Sequence, residues 1–238
     1  MGIRDQRVLM IIEAMLKAGI MDEIAHNPLG TPQGGVISPL LANVYLHYVL
    51  DLWFEKIVKR HCRGEAYMVR YADDFVCCFQ YKDDAERFYV DLQERLGKFN
   101  LFISPEKSKI IAFGRFAASD AVKQGKDKPD AFDFLGFTHY CSTSKHGKFR
   151  VKRRTSRKKY KAALTRMKQW VKDNRNVPLP TLMKKLRAKL VGYYRYYGIT
   201  DNFLMLRPYF HEVMRLLYKW LNRRRLFPEI LNGTGSWK

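Results

Sequence analysis

Acidic side chains become scarce after residue 140. Residues 141–238 hold 26 Lys and Arg against 4 Asp and Glu, whereas residues 1–140 hold 18 against 19. A surplus of one sign destabilises a compact chain unless something neutralises it, so the second half reads as a surface for a polyanion. Cysteine is also sparse. Cys62, Cys77, Cys78 and Cys141 form no CxxC pair. Cys77 and Cys78, adjacent on a strand, would point to opposite faces and cannot grip one metal. They read as buried thiols in a reducing compartment. The six histidines form no metal-binding motif. No apolar run approaches the ~20 residues of a membrane span. The opening MGIRDQRV lacks the apolar stretch and small-residue cleavage site of a secretory leader, and Gln6 stands where a myristoylation motif after Gly2 needs Ser or Thr.

What is present is a chain of 238 residues, 47% apolar, enough for one large or two small cores. Apolar spacing predicts a helix over 4–17, with Gly19 at its stop, then a turn or hairpin over 21–31. Ser38-Pro39 is a cap and first-turn pair for a long amphipathic helix with Leu41, Val44, Tyr45, Tyr48, Val49 and Trp53 on its apolar side. Two apolar runs, 66–71 and 75–79, flank Ala72-Asp73-Asp74 and predict a hairpin with an acidic tip. A helix over 83–99, a strand over 110–113 and a polar loop over 119–130 follow. Strands over 132–140 and 149–152 come next. The rest is helical: one helix capped by Thr155 and running to 173, another over 182–197 after the linker NVPLP, and a third after Pro208. The expectation is an α+β region, an antiparallel sheet backed by helices, followed by an all-α bundle, with the boundary between residues 145 and 146.

Side-by-side carboxylates at a strand-presented tip suit Mg²⁺, which keeps several waters and takes one or two carboxylates plus substrate phosphates. Two such ions a few ångströms apart can clamp an in-line phosphoryl transfer. A bare Asp-Asp dipeptide is more often an ordinary turn; its apolar flanks argue that buried strands present it.

Strand, YADD, strand resembles the active-site hairpin of reverse transcriptases. Upstream, GTPQGGVISPLLANVYLHYVLD resembles the block that precedes it, and FDFLGFTHY resembles the end of the palm. With GYYRYYGITDN downstream, residues 4–225 are similar to a group II intron-encoded reverse transcriptase/maturase of bacterial type. The resemblance implies a partial polymerase palm over 1–145 and a helical thumb or maturase RNA-binding domain over 146–238. It implies Asp73 and Asp74 as catalytic Mg²⁺ ligands, and Gln33, Gly34, Ala72 and Lys107 around the incoming nucleotide and primer end. Phe134, Leu135 and Gly136 would form the primer grip. Its implied partners are intron RNA, an RNA template with a DNA primer, and a dNTP, in a bacterial cytoplasm and without a membrane.

Each residue also has a plainer reading: Gln33 as a turn hydrogen-bonder, Lys107 as an exposed lysine, Phe134 and Leu135 as strand core. A two-metal polymerase needs a third carboxylate from another strand, and Asp5, Asp22 and Asp51 have no such setting. The expectation is therefore a truncated chain without the fingers and first catalytic aspartate, to be completed by an N-terminal fragment. The alternative is an RNA-binding maturase fragment without polymerase activity. Lys152, Arg153, Arg154, Arg157, Lys158 and Lys159 are the expected phosphate contacts. Most of the tyrosines over 193–197 are expected to pack the bundle, with Gly192 and Gly198 marking tight packing or a helix end.

Overall fold

A computed structural model describes residues 5–17 and 38–224. The chain divides into two compact units, Met1–Ile110 and Ile111–Lys238. The turn expected over 21–31, Gln33 and Gly34 lie outside the described residues.

In the first unit, α1 (Gln6–Lys17) follows Asp5, whose carboxylate accepts the Arg7 N–H at 2.8 Å. The long helix opens as α2 (Ser38–Leu46). It runs without a break through two π-helical stretches, His47–Asp51 and Phe54–Val58, into α3 (Lys59–His61). Each π turn takes up an extra residue, so the buried stripe drifts from the one the α period predicts. Val49, Leu50, Phe54 and Val58 are buried, while Tyr45 and Tyr48 stay exposed and Trp53 is half-buried. Strand β1 (Ala66–Tyr71) pairs antiparallel with β2 (Asp74–Phe79), and α4 (Lys82–Gly97) covers one side with Phe88, Leu92 and Leu96. Phe54, Phe79 and Phe88 meet with centroids 5.1–6.1 Å apart. Burying Phe54 alone contributes about 1.5–3 kcal/mol. At the start of α4 the buried Asp84 accepts from the Arg63 N–H (3.0 Å) and from Arg87 (2.6 Å), tying the loop after α3 to the helix.

The hairpin strands are not buried on both sides, as their apolar flanks had suggested. Ala66, Met68, Phe75, Cys77 and Phe79 face the core. The alternate residues Tyr67, Val69 and Tyr71 are open to solvent. The cysteines follow suit: Cys78 is exposed, and Cys62, Cys77 and Cys141 are half-buried rather than buried.

In the second unit, residues 110–113 form no strand, and α5 (Ala117–Lys123) occupies part of the expected polar loop, anchored by buried Ala117 and Ala121. The strand expected over 132–140 is two strands. β3 (Ala131–Phe134) turns at Leu135-Gly136 into β4 (Phe137–Thr143), which pairs with β5 (Phe149–Thr155) in a three-stranded antiparallel sheet. The described residues therefore hold two small sheets. The division between these two compact units falls before β3, and β4 pairs with β5 across residues 145 and 146.

Three helices complete the unit: α6 (Arg157–Asp173), α7 (Leu179–Tyr197) and α8 (Phe203–Leu221). Each buries a triplet spaced by four: Ala163, Met167, Val171; Leu182, Leu186, Leu190; Tyr209, Val213, Leu217. That is one apolar stripe per helix, closing a three-helix core. Ser156, rather than Thr155, caps α6, its hydroxyl accepting from the Lys159 N–H. α8 begins five residues before Pro208. The missing N–H frees the carbonyl of Leu204, a residue 82% exposed, so the lost bond falls on the solvent side where it costs least.

Candidate active site and nucleic-acid interface

The register of the hairpin decides what its tip presents. Tyr71 pairs with Asp74, so Ala72 and Asp73 are the two turn residues and Asp74 is the first residue of β2. Ala72 has φ 54°, a left-handed conformation that a side chain disfavours. Asp73 and Asp74 are both exposed, and among the described residues neither takes part in an ion pair or a side-chain hydrogen bond. By the alternation of β2, Asp74 shares the open face with Tyr71 and Val69. Two unpaired carboxylates on a backbone held by a packed sheet are suitable ligands for a hard divalent cation. No cluster of three or more metal-ligating side chains occurs among the described residues, so the turn offers a pair.

Directly behind the turn lies Arg70, on the core side of β1. Its guanidinium grips both oxygens of Asp51 (Nε to Oδ1 2.7 Å, Nη2 to Oδ2 2.6 Å) and reaches Asn43 Oδ1 at 2.9 Å. It also donates to the carbonyl of Ala72 at 2.8 Å. Arg70, followed by His47, holds the Asp51 carboxyl below its usual range. Asp51 is thereby committed to Arg70. Lys107 sits exposed in a turn, its N–H bonded to the Ser104 carbonyl (3.1 Å), and no ion pair or hydrogen bond links it to Asp73 or Asp74.

In the second unit, Phe134, Leu135 and Gly136 form the end of β3 and its turn. Leu135 (φ 49°) and Gly136 (φ 79°) are both left-handed, the mark of a tight two-residue hairpin turn. The α7 tyrosines hold it. Tyr196 donates its hydroxyl to the Leu135 carbonyl at 2.8 Å, and the Ser156 N–H donates to the Gly136 carbonyl at 2.9 Å. Phe137 stacks on Tyr196 (5.8 Å) and meets Tyr197 edge-on (5.3 Å). A Cβ on Gly136 would lie 3.1 Å from the Tyr197 hydroxyl. Phe132 stacks on His139 at 5.0 Å, and burial pushes His139 below its usual pKa.

Tyr193 stacks on Tyr209 at 3.8 Å, and burial raises both phenols, Tyr209 to about 12. The tyrosine run thus joins hairpin to bundle, as packing predicted for most of it. Gly198 ends α7, where a Cβ would fall 2.3 Å from the Tyr194 carbonyl, whereas nothing lies within 4 Å of one on Gly192.

The buried Asn202, just before α8, accepts the Thr155 N–H (2.7 Å) and donates to Thr155 Oγ1 (2.7 Å) and the Tyr197 carbonyl (2.8 Å). Beside it, Asp201 pairs with Arg150 at 3.1 Å. Sequence reasoning passed over Asn202 and Arg70. An Asn before a helix and an Arg inside an apolar strand were the available signals.

The six expected phosphate contacts split by geometry. Lys152 and Arg154 share a sheet face with Thr138 and Tyr140, and Arg154 lies over the Tyr140 ring at 5.3 Å. Arg153 is on the opposite face, beside His139. Arg157, Lys158 and Lys159 are exposed in the first turn of α6, which holds no acidic residue. A helix N-terminus is already positive. Three cations added there cost energy in the free protein and favour an anion brought to them.

Comparison with known proteins adds to this geometry. Residues 6–139 match the family model described as reverse transcriptase (RNA-dependent DNA polymerase). Residues 160–227 match the group II intron, maturase-specific domain. The chain is 47% identical over 56 residues, 21% of its length, to the group II intron-encoded protein LtrA of Lactococcus lactis subsp. cremoris. It is 44% identical over 57 residues, 23% of its length, to an uncharacterized 91 kDa protein in a cob intron of Schizosaccharomyces pombe. The matched stretches span 9% and 7% of the lengths of those relatives.

Proposed function

Because the chain belongs to the reverse transcriptase (RNA-dependent DNA polymerase) family and carries a group II intron maturase-specific segment, we propose that it serves RNA-templated DNA synthesis and intron RNA binding. The observation that carries the first role is the exposed Asp73–Asp74 pair, without an ion-pair partner among the described residues, on a two-residue turn of a packed hairpin. Residues 1–145 serve as palm and 146–238 as thumb; the proposed boundary lies between the two family matches.

Asp73 and Asp74 bind Mg²⁺. When bound, the ion supplies activation of the primer hydroxyl and charge neutralisation at the leaving pyrophosphate. Ala72 keeps the space beside the primer end small. Gln33 and Gly34 lie against the incoming dNTP, and Lys107 answers the charge on its phosphates. The turn Phe134–Leu135–Gly136, clamped by Tyr196, supports the primer strand. Arg153, Arg154, Arg157, Lys158 and Lys159, with Lys152, take phosphates of intron RNA or of the template–primer duplex. The described residues offer two carboxylates at the turn, so a separate N-terminal segment supplying a third is a proposed partner.

Primer extension on an RNA template, comparing wild type with Asp73→Asn, tests the catalytic role. Loss of a group one step removed from a metal costs about 10–100-fold, so losing a direct ligand should cost at least roughly 100-fold. Equal extension by both proteins removes the turn from catalysis. RNA affinity measured against salt tests the second role. Removing one phosphate-binding cation, as in Arg157→Gln or Lys158→Gln, should flatten the logarithmic slope by about 0.7–0.9. Salt-dependent binding with no extension would leave the chain an RNA-binding maturase alone.

A further inference from the structure

We propose that Arg70 is the positioning residue of the acidic turn: it fixes the backbone that presents Asp73 and Asp74 while leaving both carboxylates free. The proposal rests on the reading of that pair as a divalent-cation site. Three observations carry it. First, every nitrogen of the guanidinium has a protein acceptor. Nε and Nη2 take the two Asp51 oxygens, and Nη1 takes Asn43 Oδ1 and the Ala72 carbonyl, all between 2.6 and 2.9 Å. Second, the side chain is 11% exposed, so the fork is held in place rather than sampled. Third, its one backbone target is the residue whose conformation is disfavoured, Ala72 at φ 54°.

The charge logic separates this role from neutralisation. An arginine three residues from Asp73 could have paired with it and closed the site. Instead Asp51, placed by the π-helical stretch His47–Asp51, accepts both parallel N–H bonds. The cation is thereby turned away from the acidic pair, and only its remaining donor reaches the turn. Lysine cannot substitute, because a single ammonium cannot hold two carboxylate oxygens, an amide oxygen and a carbonyl in one plane.

The test is a cycle in the full chain: Arg70→Met, Arg70→Lys, Ala72→Gly and the double variant Arg70→Met/Ala72→Gly. Glycine adopts φ 54° freely, so it should relieve the need for the clamp at the turn without restoring the bonds to Asp51 and Asn43. The readouts are the Mg²⁺ concentration for half-maximal primer extension, amide hydrogen exchange from Tyr71 to Phe75, and the urea midpoint. Arg70→Met and Arg70→Lys should raise the Mg²⁺ requirement and speed exchange at the turn by about tenfold or more. On top of Ala72→Gly, the same Arg70→Met change should move the Mg²⁺ requirement several-fold less, while the urea midpoint drops as far as before. A merely structural arginine gives equal losses with and without Ala72→Gly, and that result overturns the proposal. So does a wild-type Mg²⁺ requirement in Arg70→Met. If the wild type itself shows no Mg²⁺-dependent extension, the reading of this chain as a polymerase by itself fails instead. Exchange then decides on Arg70 alone: unchanged protection at the turn in Arg70→Met refutes it, and faster exchange confined to the turn supports it.

Discussion

Replacing Asn202 with Ala should be among the most damaging single changes available in the second unit. The side chain is fully buried and makes three hydrogen bonds, to the Thr155 N–H, Thr155 Oγ1 and the Tyr197 carbonyl. The Tyr197 carbonyl keeps a second donor, the Ile199 N–H at 2.9 Å. The Thr155 N–H has no such reserve and becomes a buried orphan, at about 1–3 kcal/mol. The other two bonds contribute about 0.5–1.5 kcal/mol each, which places Asn202→Ala at about 2–6 kcal/mol. With a urea slope of about 2 kcal/mol per molar, the midpoint should fall by about 1–3 M. Asn202→Asp keeps the acceptor for Thr155 N–H but turns the donor toward Tyr197 into an anion in a buried site. Its destabilisation should therefore be as large at neutral pH and lessen as the pH falls and the carboxyl gains a proton. Urea melts of the three proteins between pH 4 and 7.5 decide the matter. A loss under about 1 kcal/mol for Asn202→Ala, or an Asp variant whose deficit ignores pH, refutes the hydrogen-bond reasoning.

Other outcomes follow from single features. Asp51 has its pKa lowered by Arg70 first and His47 second, so its contribution is present above the unfolded value of about 3.9 and is lost as pH falls through the lower folded value. The stability gap between wild type and Asp51→Asn should therefore be flat from pH 7 to about 4 and shrink below it, as read by urea melts across that range. Gly136→Ala should cost about 1–2 kcal/mol, because φ is 79° and the new Cβ meets the Tyr197 hydroxyl. Gly192→Ala, mid-helix in open space, should gain about 0.5–1 kcal/mol in the same melts.

Where the sequence was legible, local periodicity and tertiary packing agreed. The triplets Ala163–Met167–Val171 and Leu182–Leu186–Leu190 announce helices by their spacing alone, and the helices are there. The Tyr71–Asp74 turn was legible because strand-forming runs flank it. Its open face was not: Tyr67, Val69 and Tyr71 have the same composition as core residues, and only the placement of Phe54 and Phe88 on the other side decides which face is covered. The drift along the helix after Ser38 escaped because π turns leave no mark in composition. Leu135 could not be read as left-handed, since its conformation is held by Tyr196, 61 residues away. Arg70 and Asn202 escaped for the same reason. Their partners lie 19 and 47 residues away in the sequence, and no local pattern announces a long-range polar hub.

Under the proposed function, the Asp73–Asp74 turn takes a divalent cation. Paramagnetic broadening of backbone amide resonances by Mn²⁺, reversed by excess Mg²⁺, measures it most directly. A cation held at the turn gives broadening centred on Ala72, Asp73 and Asp74 that disappears in Asp73→Asn/Asp74→Asn, with the fold intact because neither carboxylate has a protein partner among the described residues. Broadening centred elsewhere, or unchanged in the double variant, contradicts it.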